Sequence, residues 1–237
     1  MDGPLIMNEI LTWTKRVKRI IFVLKVDFEK AFDNLRWGFI WDVLAQMNFG
    51  PTWIAWMKGI ICCVQVSVLV NGSPTKQFKL EKGVRQGDPL LPYLFIIATE
   101  RLITAISEAK AKGLLTGVDL PNDGPSISSL HYADDAMFIG NWSDSNVQNL
   151  MRILSCFHHA SGLKLIWFKS SISGVGASST EITRLASQLG CKEGNLPFRY
   201  LGLSTRVSMH KAKSWKTVLD MFAKKLSVWK SKNLSIK

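Results

Sequence analysis

Apolar residues fall along this chain in two rhythms. Residues 20–26 form a nearly unbroken β-branched and apolar run, the pattern of a strand buried on both faces, and the run ends at Asp27. The period then lengthens. Ile40, Val43, Leu44 and Met47 share one face of a helix predicted over residues 35–47, which Gly50-Pro51 stops. Alternation returns where Val64, Val66, Val68 and Val70 interleave with Gln65 and Ser67. Asn71-Gly72 then supplies the positive-φ residues of a hairpin turn, with Phe78 and Leu80 on the return strand.

Residues 90–111 carry a long helical pattern, and residues 130–139 are two short apolar runs that meet at Asp134-Asp135. Helices are predicted over residues 147–160, stopped by Gly162, and over 181–189. An extended piece follows at 198–203 and a basic amphipathic helix at 212–229. Helices and antiparallel hairpins in this mixed order predict an α+β fold, an antiparallel sheet with helices packed on one face. There is no internal repeat and no low-complexity tract.

Composition narrows the partners. At 237 residues and 47% hydrophobic, the chain has enough apolar side chains for a substantial core, which excludes a disordered chain. Lys and Arg number 30 against 18 Asp and Glu, a formal charge of +12 that favours polyanions, nucleic acid or an acidic membrane surface, without choosing between them. The cations cluster at Lys15, Arg16, Lys18 and Arg19, and again beyond Arg206, where Asp220 is the one acid. Cys62, Cys63, Cys156 and Cys191 have neither metal-knuckle nor redox spacing, so a reduced, intracellular chain is expected. The longest apolar stretch, residues 60–70, is broken by Gln65 and Ser67 well short of a membrane span, and no secretory leader is evident.

Two places carry the chemistry. A carboxylate at the end of a buried strand, Asp27, is costly unless something cationic meets it, and a hard divalent metal is the usual answer. Taken alone, such an Asp is more often a helix cap or a surface ion pair. Adjacent carboxylates at Asp134 and Asp135, between two apolar strands, repel each other until a ligand neutralises them. Taken alone, they are an ordinary Asp-rich turn. Together, two strand-end carboxylate sites gathered into one pocket by a sheet give the donor set of two-metal phosphoryl transfer.

The segments LKVDFEKAFD, GVRQGDPLLPYLF, HYADD, SGLKLIWFKS and LPFRYLGL, in this order from residue 20 onward, resemble motifs A to E of the reverse transcriptases of non-LTR retrotransposons. These are the LINE-type elements, those of plants in particular. The resemblance implies a polymerase palm over residues 1–205 with a remnant of the fingers, and a basic helical start of a thumb over 206–237. It implies an RNA-directed DNA polymerase that extends a DNA primer with deoxynucleoside triphosphates on an RNA template, using two Mg²⁺ ions, for which Mn²⁺ could substitute. Asp27, Asp134 and Asp135 would be the catalytic carboxylates, with Asp27, Asp134 and the Phe28 carbonyl on the metals and Asp135 beside them. Phe32 would be a steric gate against the ribose 2′-hydroxyl. Gln86 and Gly87 would lie against nucleotide and template, and Lys169 would donate a proton to the pyrophosphate. Tyr200, Leu201 and Gly202 would form the primer grip. Lys211, Lys213, Lys216, Lys224 and Lys225 would follow the nucleic-acid backbone.

The chain departs from the family pattern where Leu91 stands in place of a Ser that caps a helix, and where Ile166 replaces an Asn. The fingers segments of such enzymes precede motif A, and little of the chain does so here. Two other functional classes fit the same residues: a nucleic-acid-binding remnant that does not polymerise, and an RNA-directed RNA polymerase on a related palm, which Phe32 disfavours. Nucleus or cytoplasm is left open; a secreted or membrane-bound protein is not expected.

Overall fold

The computed structural model describes residues 2–84, 87, 89–121, 124–205, 216 and 219–227. Five strands form the central sheet: β1 (Ile21–Val26), β2 (Ser129–Tyr132), β3 (Asp135–Asn141), β4 (Ser171–Val175) and β5 (Lys192–Glu193), in the spatial order β5-β4-β1-β3-β2. Every pairing is antiparallel except the short β4–β5 edge.

The apolar run of β1 is explained by its place at the middle of this sheet. Phe22, Leu24 and Val26 point into one core and Ile21 and Val23 into another, all 2% exposed or less. Burying each such side chain contributes about 1.5–3 kcal/mol. The larger core lies between the sheet and helices α3 (Trp37–Gln46), α5 (Leu91–Ala111) and α6 (Asp144–Ser161). This is the expected α+β palm.

The opposite face is covered too, by an element the sequence reading did not anticipate. Helix α1 (Asp2–Arg16) packs Met7, Ile10 and Leu11 against Ile21, Val23, Met137 and Ile139. Residues ahead of motif A are therefore part of the palm's own packing.

The helix predicted over residues 35–47 starts late, two residues beyond Leu35. Helix α2 (Ala31–Asn34) ends at Leu35, whose extended backbone accepts from the Gly83 amide, and Arg36 N–H donates to Ser161; α3 starts only at Trp37. α3 ends at Gln46, where Asn48 turns left-handed (φ 61°) and its amide donates back to the Ala45 carbonyl, so the expected stop at Gly50-Pro51 instead begins α4 (Pro51–Cys62), with proline at its first turn where no amide donor is needed. The hairpin after it is present. Asn71 (φ 51°) and Gly72 (φ 83°) make the turn, but Val68, Leu69, Val70 and Phe78 on its strands face solvent.

Helix α6 is capped as its sequence dictates, by Ser143 accepting from the Asn146 amide and by Gly162 at φ 82°. Helix α7 (Ser179–Leu189) begins with a reciprocal Ser178–Glu181 capping box. All four cysteines are free thiols. Among the described residues no helix is long and apolar enough to cross a membrane.

Candidate active site

β1 and β3 run antiparallel, and their last paired residues are Val26 and Ala136. Asp27 is the next residue on one strand, and Asp135 is the first residue of the other. Residues paired across a ladder share a face, so the alternation that sends Val26 and Ala136 into the larger core sends Lys25, Asp27 and Asp135 to the α1 side. The β2–β3 hairpin closes on the Tyr132–Asp135 pair, which leaves Ala133 and Asp134 as its turn. Ala133 sits at φ 52°, a left-handed conformation that costs a non-glycine residue about 1–2 kcal/mol. The register on both strands holds it there, and Asp134 is exposed at the tip.

Asp27 is fixed through its backbone. Its amide donates to the Ser170 hydroxyl at 3.3 Å and its carbonyl accepts from Ile166 N–H at 2.8 Å, while Glu29 N–H donates to Lys164. These bonds flank the antiparallel bridge between Phe28 and Leu165, so the N–H and C=O of Phe28 itself are directed to the other side, that of β3. Ser170, 1% exposed, also donates to the Ile166 carbonyl at 2.8 Å. Its neighbour Lys169 is exposed on the same turn. Ser170 is a positioning residue the sequence reading missed, although it closes the segment that carried Lys169.

Asp135 faces a cation. The Lys25 ammonium lies 3.7 Å from its carboxylate, both groups being more than a third exposed, so the pair is partly screened. Burial, and then the Asp135 charge, hold the Tyr200 phenol above its ordinary range. Among the described residues no three Asp, Glu, His or Cys side chains converge as a metal-holding group. Asp135 also pairs with Lys25 across the β1–β3 ladder. The strand ends present an oxygen-only set, Asp27, Asp134, Asp135 and the Phe28 carbonyl. That set suits Mg²⁺, which is held through one or two carboxylates together with water and substrate phosphates.

The rest of motif A is stapled to the approach of motif B. Phe32 is half-buried with its ring 4.8 Å from that of Phe95, and its carbonyl accepts from Val84 N–H at 2.7 Å. Gly83 (φ 82°) passes so close to Asp33 that a Cβ there would meet its carbonyl oxygen at 2.5 Å, and the Trp37 indole donates to the Gly83 carbonyl. Gly87 is exposed; Gln86 lies outside the described residues. Leu90 stands at the N-cap of α5 and its own side chain makes no capping bond, and Leu91 follows where a Ser was expected.

Tyr200 and Leu203 pair in a tight hairpin whose turn is Leu201 (φ 48°) and Gly202 (φ 83°). Tyr200, 1% exposed, is buried in the α1-side core beneath Gly3, so of the three residues expected to grip a primer only Leu201 and Gly202 stand at the turn. Lys211 and Lys213 lie outside the described residues. Lys216, Lys224 and Lys225 are exposed and helical, and the apolar stripe beside them, Leu219, Phe222 and Leu226, is also exposed.

His131 stands next to the turn, on β2. It packs edge-on against Phe138 at 5.6 Å, its Nε2 is buried without a hydrogen-bond partner, and burial pushes its pKa down to about 4.

A five-stranded sheet with helices across it and carboxylates at adjacent strand ends defines a polymerase palm. The profile of the family described as "Reverse transcriptase (RNA-dependent DNA polymerase)" matches residues 5–205, so the match also takes in most of α1. The chain belongs to this reverse transcriptase family, in its non-LTR retrotransposon branch. It is 26% identical over 212 residues to a Pol polyprotein of the type-1 retrotransposable element R2 of Popillia japonica, covering 84% of this chain and 33% of that protein. It is 27% identical over 173 residues to the 149 kDa protein of transposon TX1 of Xenopus laevis, covering 72% of this chain and 12% of that one. An Arabidopsis thaliana mitochondrial protein is 40% identical over 75 residues, 32% of this chain and 62% of its own length. The chain thus spans a third or less of the two transposon proteins. Among solved structures, telomerase from Candida albicans aligns over 93% of this chain and 37% of its own, with a TM-score of 0.60 and 13% identity. That likeness is one of fold.

Proposed function

We propose that the chain is the palm of an RNA-directed DNA polymerase that adds deoxynucleotides to a primer 3′-hydroxyl on an RNA template. The observation that carries the reading is the β1–β3 register, which ends one strand at Asp27 and starts the other at Asp135, with Asp134 on the turn between. Asp27, Asp134 and the Phe28 carbonyl would hold divalent ions. When bound, Mg²⁺ or Mn²⁺ supplies activation of the primer hydroxyl and neutralisation of the triphosphate.

The chain's own residues orient and select. Ser170 and Ile166 lock the Asp27 backbone, so its carboxylate meets the substrate without reorganisation. Phe32, braced by Phe95, crowds the position of a ribose 2′-hydroxyl. Lys169 donates a proton to the departing pyrophosphate, Gln86 and Gly87 lie along the nucleotide and template, and the turn at Leu201-Gly202, anchored by Tyr200, supports the primer end. Lys211, Lys213, Lys216, Lys224 and Lys225 contact duplex phosphates without reading bases.

The test is primer extension with Mg²⁺, comparing deoxy- with ribonucleoside triphosphates. The parent chain uses deoxynucleotides, and Phe32→Val gains ribonucleotide incorporation. Equal use of both by the parent would contradict the assigned gate and favour an RNA-directed RNA polymerase. A second reading, a nucleic-acid-binding protein that does not polymerise, draws on the Lys25–Asp135 pair, in which a cation already engages one carboxylate. Duplex binding without any Mg²⁺-dependent extension would select it.

A further inference from the structure

At the end of the sheet opposite Asp27 lies a hollow of about 430 Å³ between the C-terminus of α1, the start of β1 and the end of β4. Its apolar floor is the buried Leu11 with the half-buried Val175, the exposed Ile20 lies at its edge, and its rim carries the exposed Lys15, Lys18 and Arg19. Six residues of β1 separate it from Asp27, roughly 23 Å by strand rise, so it is no part of the polymerising site.

The rim is charged beyond what the helix end requires. Arg19 pairs with Asp119 at 3.4 Å, but Lys15 and Lys18 have no acidic partner among the described residues. Lys18 also occupies the position after α1 where glycine is the default. Arg19 N–H reaches back to the Thr14 carbonyl, and Lys18 sits in the left-handed region at φ 54°. A cation is held there despite the strain.

We infer that this hollow is a second nucleic-acid contact, in which Lys15 and Lys18 bind the phosphates of a single strand while a nucleobase rests on the apolar floor. The inference rests on the polymerase reading only for its partner class. The formal charge of +12 and the unpaired rim lysines favour a polyanion, and the apolar floor of nucleotide size favours one bearing bases.

The experiment is fluorescence anisotropy of a labelled single-stranded RNA of about 20 nucleotides, titrated at several salt concentrations without primer or nucleotides. The variant Lys15→Gln/Lys18→Gly removes two charges while relieving the Lys18 backbone. Its melting temperature is expected to be unchanged or higher, its affinity about tenfold weaker and its log–log salt slope shallower by about 1.4, two phosphates' worth. Should the double variant melt early, Lys15→Gln alone is expected to lower the slope by about 0.7.

An unchanged slope would overturn the assignment. So would equal weakening by Lys112→Gln/Arg152→Gln, just past the end of α5 and on α6, which would mark a diffuse charge effect. Binding of a poly-glutamate peptide at the rim with RNA binding unaffected would overturn it in favour of a protein partner. Asp134→Ala, which tests polymerisation, leaves this binding intact, so the two readings fail separately.

Discussion

The Asp27 amide donates to the Ser170 hydroxyl at 3.3 Å, across 143 residues of sequence, and this bond joins motif A, at the end of β1, to the turn that bears Lys169. Ser170 is a hinge pin between a proposed metal-holding carboxylate and a proposed proton donor.

Ser170→Ala strips that acceptor from Asp27 and the donor from the Ile166 carbonyl. Loss of two such bonds at a buried position costs about 1–3 kcal/mol. Because the carboxylate loses its fixed aim, kcat for primer extension is expected to fall about ten- to hundredfold while KM for the nucleotide changes little. Chemical denaturation and steady-state kinetics on the same preparation separate the two effects. A stability loss with kcat unchanged would reduce Ser170 to a packing residue.

Two glycines of similar backbone conformation are expected to respond differently. Gly83 (φ 82°) faces the Asp33 carbonyl with no room for a Cβ, whereas Gly202 (φ 83°) has open space around it. Gly83→Ala should destabilise by about 2–4 kcal/mol through clash plus strain, and Gly202→Ala by about 1 kcal/mol through strain alone. Urea midpoints at constant m-value measure both. Equal losses would show that the motif A–motif B approach is looser than the structure has it.

His131 makes stability depend on pH. Its folded pKa of about 4 lies below the ordinary 6.5, so the folded state prefers the neutral ring. As pH falls below 6.5 the unfolded chain takes up a proton that the folded chain refuses, and stability declines until about pH 4. The loss attributable to this group is up to about 3 kcal/mol. His131→Phe, which keeps the ring contact with Phe138, should flatten the slope between those limits; His158, also depressed by burial, acts in the same direction and is common to both proteins. Identical slopes in parent and variant would refute the buried neutral ring.

Much of the fold was legible because the sheet imposes its periods on the sequence. β1 reads as a two-faced strand, α5 and α6 as long periodic helices, and Asn71-Gly72 as a turn, whereas residues 198–203, expected as one extended piece, fold back at Leu201-Gly202 into a hairpin. Helix α1 carries the same kind of signal, Met7, Ile10, Leu11 and Thr14 at helical spacing, yet it drew attention only for the cations at its end. The late start of α3 was hidden because tertiary hydrogen bonds, from Gly83 to Leu35 and from Arg36 to Ser161, hold residues 35 and 36 extended.

The candidate site divides in the same way. Asp27 and Asp134 are visible as charges at the ends of apolar runs. The pairing of Asp135 with Lys25 is not, since the two become neighbours only once the β1–β3 register is set. Ser170 was invisible for the complementary reason: a lone serine announces nothing until its partner amide, far away in sequence, is in place.

Extension of a DNA primer on a homopolymer RNA template with Mg²⁺, parent against Asp134→Ala, tests the central claim most directly. The account predicts extension by the parent and its loss, by at least about a thousandfold, in a variant that still folds and binds RNA. Undiminished extension by Asp134→Ala would contradict it.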